Sequence, residues 1–406
     1  MKKIISIALA ILMAFTCCVV AFAAEDRTVA VDKLKFTDGK FRILQVNDTQ
    51  DVGENADERM VKFVTEAIKS TNPDLVIFNG DQLSDIYTAP SFEDFVIAIA
   101  NICDVCEENQ IPFAVTLGNH DHDRTATVAE DDMWTEIYSK YTYCVNGAVG
   151  GSFGVQTDDP AQGEVDYFTC NLPVLSSDES KVAFNIYVMD SNNNEGLNGN
   201  NSGYDGITKS QLEWYNAKCA ELKAANGGEV VPSMLFQHVP VKEIYSLMDR
   251  CHWYEENSIY CRRDGYWYKL KDGVVGDLGE APCSEDFDTI TGQYQAWVEN
   301  GDVFAAWFAH DHVCNFYGTT EDGISLGYNG GSTFRSYGNG DQRSVRIIDI
   351  DENDITNFTT QSVTYAEITG ESFSLCFTDL LTPKWLTWVM KAVYAVFGWA
   401  IELIQK

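Results

Sequence analysis

Six histidines occur in the 406 residues, and five of them, His120, His122, His238, His310 and His312, lie just past short apolar runs of the kind that form buried strands. Asp48 follows the run Phe41 to Val46, Asp81 follows Leu75 to Phe78, and Gly118-Asn119-His120-Asp121 follows Pro112 to Leu117. Carboxylates, an amide and imidazoles gathered in this way suit borderline or hard ions such as Mn, Fe or Zn rather than soft copper. A carboxylate such as Asp81 can bridge two ions, and two ions ~3.5–4 Å apart form a clamp for in-line displacement at phosphorus. Any one of these stretches alone reads as a polar turn. Their repetition at successive strand ends argues for a site.

The elements that must position them are legible in the same pattern. Strands at Phe41 to Val46, Leu75 to Phe78 and Pro112 to Leu117 alternate with helices. The first helix is expected to start at Asn55-Ala-Asp-Glu58, with Met60, Val61, Val64, Ala67 and Ile68 on its apolar face, and the second at Ser91-Phe-Glu-Asp94. This order is that of parallel βαβ units, in which ligands collect beyond the carboxyl ends of the strands. Further strands are expected at Val182 to Met189, Val231 to Phe236 and Asp302 to Phe308, with a helix opened by Thr208-Lys-Ser-Gln211. Short β segments follow at Val313 to Tyr317, Ile324 to Tyr328 and Ser344 to Ile350. Residues 245–288 hold many aromatics and three cysteines without a clear period, and read as a long insertion over one face.

Met1-Lys2-Lys3, an apolar Ile4 to Val20 and the exit Ala21-Phe22-Ala23-Ala24 have the three parts of a secretory signal, so residues 1–24 are expected to be removed and the protein secreted or extracytoplasmic. Loss of two lysines and no acid takes the net charge from −33 to −35. Such a field repels phosphate backbones and anionic lipid, which excludes nucleic-acid binding through a basic groove. An anionic substrate would need a local source of positive charge. Ten cysteines remain in an exported chain, and several are expected to pair. Cys103 and Cys106 lack a second Cys/His pair and are assigned to the core or to disulfides rather than zinc. Residues 351–383 read as a β/loop extension. From 384 to 406 the chain is strongly apolar, with Thr387, Lys391, Gly398 and Glu402 in a narrow polar stripe. Three readings stand for this helix: membrane association along an amphipathic face, packing on the protein or a partner, or a true span.

Taken in order, Asp48-x-Gln50, Gly80-Asp81, Gly118-Asn119-His120-Asp121, His238-Val-Pro and His310-Asp-His312 resemble the five-block signature of the calcineurin-like metallophosphoesterases, in particular the purple-acid-phosphatase-like branch, where a glycine-rich segment comparable to Tyr328-Asn-Gly-Gly331 follows the last block. The resemblance covers residues 38–350 and implies an α/β fold of four layers, an α/β/β/α sandwich, around a two-metal centre. It assigns Asp48, Gln50 and His312 to the first ion, Asp81 to the bridge, and Asn119, His238 and His310 to the second. His120 would assist the leaving group, with Asp121 orienting it, while a metal-bridging hydroxide attacks a small phosphate monoester or diester.

The family usually has His where Gln50 stands, which would weaken the first metal site. Ser84 replaces the tyrosine of purple members, so no iron-tyrosinate colour is expected. Ala309 stands for the usual glycine before His310. His122, Asp123 and Asp51 could tune the site, His252 could touch substrate, and Arg335 and Arg343 could pair with a phosphate oxygen or form surface salt bridges. Two alternatives stay open: a surface binding protein on the same fold weakened through Gln50, and a nucleotide or sugar-nucleotide hydrolase.

Overall fold

A computed structural model describes residues 34–51, 56–83, 91–122, 134, 136–146, 168–192, 204, 206–283, 291–373, 379 and 383–404. The leader at 1–24, Asn55, Ser84, Asp123 and most of the Asn/Gly-rich stretch at 191–203 lie outside the described residues. In chain order the strands and helices are β1 Lys40–Val46, α1 Glu58–Thr71, β2 Leu75–Asn79, α2 Phe92–Asn109, β3 Phe113–Thr116, β4 Cys170–Leu175, β5 Val182–Met189, α3 Lys209–Ala225, β6 Ser233–Gln237, β7 Met248–Cys251, β8 Ile259–Tyr260, β9 Trp267–Leu270 and β10 Val275–Asp277. They continue with α4 Gln293–Asn300, β11 Val303–Phe308, β12 Asn315–Thr319, β13 Ser325–Tyr328, β14 Ser344–Asp351, β15 Thr359–Thr364, α5 Tyr365–Thr369 and α6 Pro383–Ile404.

The alternation of side chains along β1 shows how the layers arise. Leu44 and Val46 point outward, into a core shared with α1 and α2, while Phe41 and Ile43 point inward, against Phe184, Ile186, Phe236 and Trp307. The inward face belongs to a five-stranded sheet, β15-β14-β1-β2-β3, and what it meets is a seven-stranded sheet, β10-β12-β13-β11-β6-β5-β4. On the far side of that second sheet Tyr187, Leu235, Ala306 and Phe308 pack with Tyr215 of α3 and Trp297 of α4. Helix, sheet, sheet and helix form the expected four layers.

Parallel register then brings the polar exits to one edge. Val46 pairs with Phe78 and Asn79 with Thr116, so the residues after β1, β2 and β3 emerge side by side. Met189 pairs with Gln237 and Phe236 with Trp307 in the opposite sheet. The two sheets are tied at this edge by buried polar side chains: Gln45 Nε2 donates to Phe308 O at 3.1 Å, Asn79 Nδ2 to Gln237 O at 3.1 Å and Thr116 Oγ1 to Met189 O at 2.9 Å. Each bond satisfies a carbonyl at a strand end where the ladder stops.

Several expectations are corrected. The first helix is capped by Asp57, whose carboxylate accepts Arg59 N–H, two residues beyond Asn55. The capping boxes at Ser91 and Thr208 form as expected. Residues 245–288 are not a plain loop: β7, β9 and β8 make a three-stranded sheet, and β10 joins the edge of the second sheet beside β12. Strands of two to four residues are too short to show a period. The extension after 350 supplies β15, which pairs with β14 along its length, so it completes the first sheet. Cys103, Cys106, Cys219, Cys251, Cys261, Cys283 and Cys314 carry no disulfide, where several cysteines were expected to pair, and Cys103 and Cys106 are buried in the first core.

Among the described residues no helix is long and apolar enough to cross a membrane. Helix α6 packs on the inserted sheet through Thr387, Lys391 and Tyr394. Thr387 Oγ1 accepts Tyr260 N–H, Lys391 lies over the Trp267 ring and Tyr394 meets Trp267 edge-on at 5.6 Å. Its outer face leaves Trp385, Trp388, Val396 and Phe397 exposed.

Arg343, expected at the surface or on a phosphate, is fully buried. It donates to the carbonyls of Thr333, Ser336 and Gly340 and pairs with the equally buried Asp379 at 2.7 Å. It thus holds the loop between β13 and β14. Asp379→Asn would leave a buried guanidinium without its counter-charge, and urea titration should show a loss of about 3–5 kcal/mol. A loss below ~1 kcal/mol would mean the pair carries no structural weight.

Candidate metal centre

The residues brought to the common sheet edge form two overlapping donor groups. Asp81, His238 and His310 each offer a ligand atom, all within 4.8 Å of one another, and so do Asp48, Asp81 and His312. Asp81 belongs to both. Gln50 Nε2 donates to Asp81 Oδ2 at 2.9 Å, and His120 N–H donates to Asp81 Oδ1 at 2.8 Å. Every residue singled out as a candidate ligand is therefore at this edge or bonded to it, apart from Asn119, which precedes His120 in the same turn and is buried.

Backbone strain marks the same positions. Asp48, Gln50, Asp81 and His310 have φ of 50°, 37°, 53° and 76°, the left-handed region that side chains with a Cβ disfavour. Such conformations cost on the order of 1–3 kcal/mol each and persist only where the surroundings hold them. Here the holding bonds are Asp48 N–H to Gly80 O at 3.1 Å and Gln50 N–H to Asp81 O at 3.0 Å. The flanking glycines provide room. A Cβ on Gly80 would stand 2.6 Å from His238 Cγ, and one on Gly118 2.8 Å from Asp81 Cγ. A larger residue at either position would push the ligand side chain away.

The three histidines are oriented by different means. His238 Nδ1 faces Asn79 O at 3.0 Å, which keeps the ring proton there when neutral and turns Nε2 to Asp81 Oδ2 at 3.2 Å. His312 Nδ1 faces Tyr337 O at 2.8 Å and turns Nε2 to Asp48 Oδ1 at 3.5 Å. His310 has its backbone N–H on Asp48 Oδ2 at 3.3 Å, and its ring meets His238 and Tyr204 edge-on. Its Nδ1 is buried without a partner.

That orphan is one of a set. Asp48 Oδ1, Gln50 Oε1, Asn119 Oδ1 and His310 Nδ1 are all buried without a hydrogen bond. Buried lone pairs without partners are rare and costly. Oxygen and imidazole nitrogen atoms of this kind suit hard or borderline cations.

Charge in the metal-free centre reflects the crowding. Burial works against a charged His238, but Asp81 and Asp48 outweigh it and raise its pKa to about 10. Burial would likewise raise Asp81, yet His238, His120 and His310 hold it well below the carboxylate range. Burial, with His238 adding repulsion, lowers His310 to about 3. Two like-charged carboxylates are thus kept ionised beside the positive charge of His238.

Asp121 is bonded to the backbone on both sides of the site. Its oxygens accept the backbone N–H groups of Gly118 at 2.8 Å, Leu83 at 3.0 Å and Gln82 at 3.3 Å, so it fastens the β3 exit to the β2 exit and holds Asp81 from behind. Burial and the nearby Asp81 charge raise its pKa to about 7. Arg335 pairs with Asp51 at 2.5 Å, the salt bridge anticipated for it, and His252 stacks on Tyr254 in the insertion. Among the described residues neither belongs to the two donor groups that share Asp81. Sequence reasoning missed Glu280, Tyr337 and Tyr204, which lie in stretches with no periodic signal.

A sequence profile described as calcineurin-like phosphoesterase matches residues 41–314. A probable inactive purple acid phosphatase 14 of Arabidopsis thaliana is 27% identical over 376 residues, covering 86% of this chain and 83% of its own. Phosphatase DCR2 of Saccharomyces cerevisiae is 26% identical over 348 residues, 79% of this chain and 54% of its own. Among solved structures, a dimetal phosphatase from Danio rerio covers 80% of this chain and 99% of its own at 11% identity, with a TM-score of 0.45.

The charge pattern has a consequence for the metal-free protein. His238 is raised from 6.5 to about 10, so its contribution to stability is whole below pH 6.5 and declines as pH rises toward 10. Asp121, raised to about 7, acts in the same direction. With chelator present the urea midpoint should fall between pH ~6.5 and ~8.5, below the range in which free thiols ionise. A flat or rising midpoint over that interval would contradict the assignment.

Proposed function

The chain belongs to the calcineurin-like phosphoesterase family, and from that premise we propose that it is a metal-dependent hydrolase of phosphate monoesters or diesters, working through a binuclear centre bridged by Asp81. The observation that carries the reading is the pair of donor groups sharing Asp81, with buried unpartnered atoms on Asp48 and His310 within them. Asp48, Gln50 and His312 would hold one ion, and Asn119, His238 and His310 the other. When bound, the ions would supply Lewis-acid charge at the phosphoryl oxygens and a water acidified toward neutral pH. They also supply the positive charge that a chain of net charge −33 otherwise denies an anionic substrate.

The protein's own groups do the rest. Asp81 keeps the two halves of the centre at one spacing. The carbonyls of Asn79 and Tyr337 hold the rings of His238 and His312 in the tautomer that leaves Nε2 free. His120, half-buried at the mouth of the cluster with its backbone anchored on Asp81, is placed to give a proton or hydrogen bond to the departing oxygen. Asp121 supports this by fixing the turn that carries His120. The leader-like residues 1–24 support a location outside the cytoplasm. Nucleotides and sugar nucleotides are candidate substrates within the same chemistry, to be separated by a substrate panel.

One residue favours a second reading. Gln50 offers a neutral amide where the family usually has imidazole, and a relative is named as inactive; a chain that keeps the fold as a binding protein would follow if the Asp48, Gln50 and His312 position fails to hold its ion.

Chelation followed by Mn²⁺, Zn²⁺ or Fe should switch hydrolysis of chromogenic phosphoesters off and on, and Asp81→Asn should lower kcat/KM by at least ~100-fold, equivalent to about 2.7 kcal/mol. No turnover of either ester class by the metal-loaded chain, with Asp81→Asn behaving as wild type, would refute the enzyme. Gln50→His should tighten one ion and leave the other unchanged in calorimetric titration. Equal tightening of both, or none, would remove Gln50 from the first site.

A further inference from the structure

We propose that Tyr337 and Glu280 form a clamp that positions His312 and so sets the affinity of the metal site that Gln50 leaves short of an imidazole; this rests on the binuclear reading above. Tyr337 touches His312 in three ways. Its carbonyl accepts the Nδ1 proton at 2.8 Å, its hydroxyl accepts the His312 backbone N–H at 3.4 Å, and its ring lies parallel to the imidazole, 5° off, with centroids 4.3 Å apart. The hydroxyl proton in turn goes to Glu280 Oε1 at 2.8 Å. Glu280 is buried, at 5% exposure, in the insertion.

The clamp joins three segments that are distant in sequence. His312 follows β11, Tyr337 lies in the loop between β13 and β14, and Glu280 follows β10. The loop is itself fixed, because Arg343 binds its carbonyls on both sides of Tyr337 and is neutralised by Asp379. Gly331 approaches the same imidazole from the other direction: a Cβ there would stand 3.0 Å from His312 Cγ and 3.2 Å from Asp48 Cβ. The ring is therefore enclosed between a glycine and a tyrosine, with one nitrogen committed to a carbonyl and the other facing Asp48.

Why this histidine should need such support follows from its neighbours. His238 is held by one carbonyl and by a bond toward Asp81, and works with a second imidazole in its own donor group. His312 is the one imidazole in the group with Asp48 and Asp81. An amide oxygen at Gln50 contributes less to that ion, so orientation and basicity of His312 count for more. Partners that fix a ligating histidine are worth about 10–100-fold in metal affinity.

Tyr337 and Glu280 are positioning residues here, since they act through His312. The test uses the full chain titrated calorimetrically with Mn²⁺, with chelator melts to check folding. Tyr337→Phe keeps ring and carbonyl but removes the hydroxyl, and should weaken one of the two ions about tenfold while the other stays as in wild type. Glu280→Gln retains an acceptor for the Tyr337 proton and should stay within about threefold of wild type. Two ions with wild-type affinities in Tyr337→Phe, or equal weakening of both, would overturn the clamp while leaving the binuclear centre standing. A wild-type chain that takes up no Mn²⁺, Zn²⁺ or Fe would overturn the reading of the centre, and the clamp with it.

Discussion

The structure turns on one buried carboxylate. Asp81 has no exposed surface, lies in both donor groups and is in a left-handed backbone conformation. An ionised carboxylate in that position is tolerated only because cations or protons sit against it. In the metal-free protein the proton on His238 fills that need, and with metal bound the ions would do so. Much of the surrounding architecture can be understood as holding Asp81 where both demands are met: Gly80 and Gly118 give it room, Asp121 ties its backbone neighbours, and Gln50 and the His120 backbone bond its oxygens.

Two sheets have to agree for this to work, because Asp48 and Asp81 come from one and His238, His310 and His312 from the other. Hydrophobic packing alone would let the sheets slide, since apolar contact is not directional. The bonds from Gln45, Asn79 and Thr116 to carbonyls of the facing strands fix their offset at the end where the ligands emerge. The same logic reaches outward through Arg343 and Asp379 to the loop of Tyr337, so a buried ion pair remote from the ligands bears on how well His312 is held.

How much of this could be read from sequence depends on the range over which each signal acts. The strands and the capping boxes at Ser91 and Thr208 are local, and their positions are nearly right. The common strand edge was legible because parallel strands with short exits place like positions together, which makes Asp48 and Asp81 neighbours without knowing any contact. Asp57 replaced Asn55 as a cap because both are good caps and local pattern does not choose between them. The inserted sheet, the edge strand β15 and the roles of Glu280, Tyr337 and Asp379 rest on pairings between distant segments, for which sequence spacing carries no signal. The bonds of Asp121 to Leu83 and Gln82, in the exit of another strand, are of the same long-range kind.

The central claim is that Asp81 lies between two metal ions. The most direct measurement is anomalous scattering from a crystal of the chain grown with Mn²⁺. The account predicts two peaks, ~3.5–4 Å apart, on either side of the Asp81 carboxylate. One should lie by Asp48, Gln50 and His312, the other by Asn119, His238 and His310. A single peak, no peak, or peaks bound elsewhere with Asp81 still paired to a protonated His238 would contradict it.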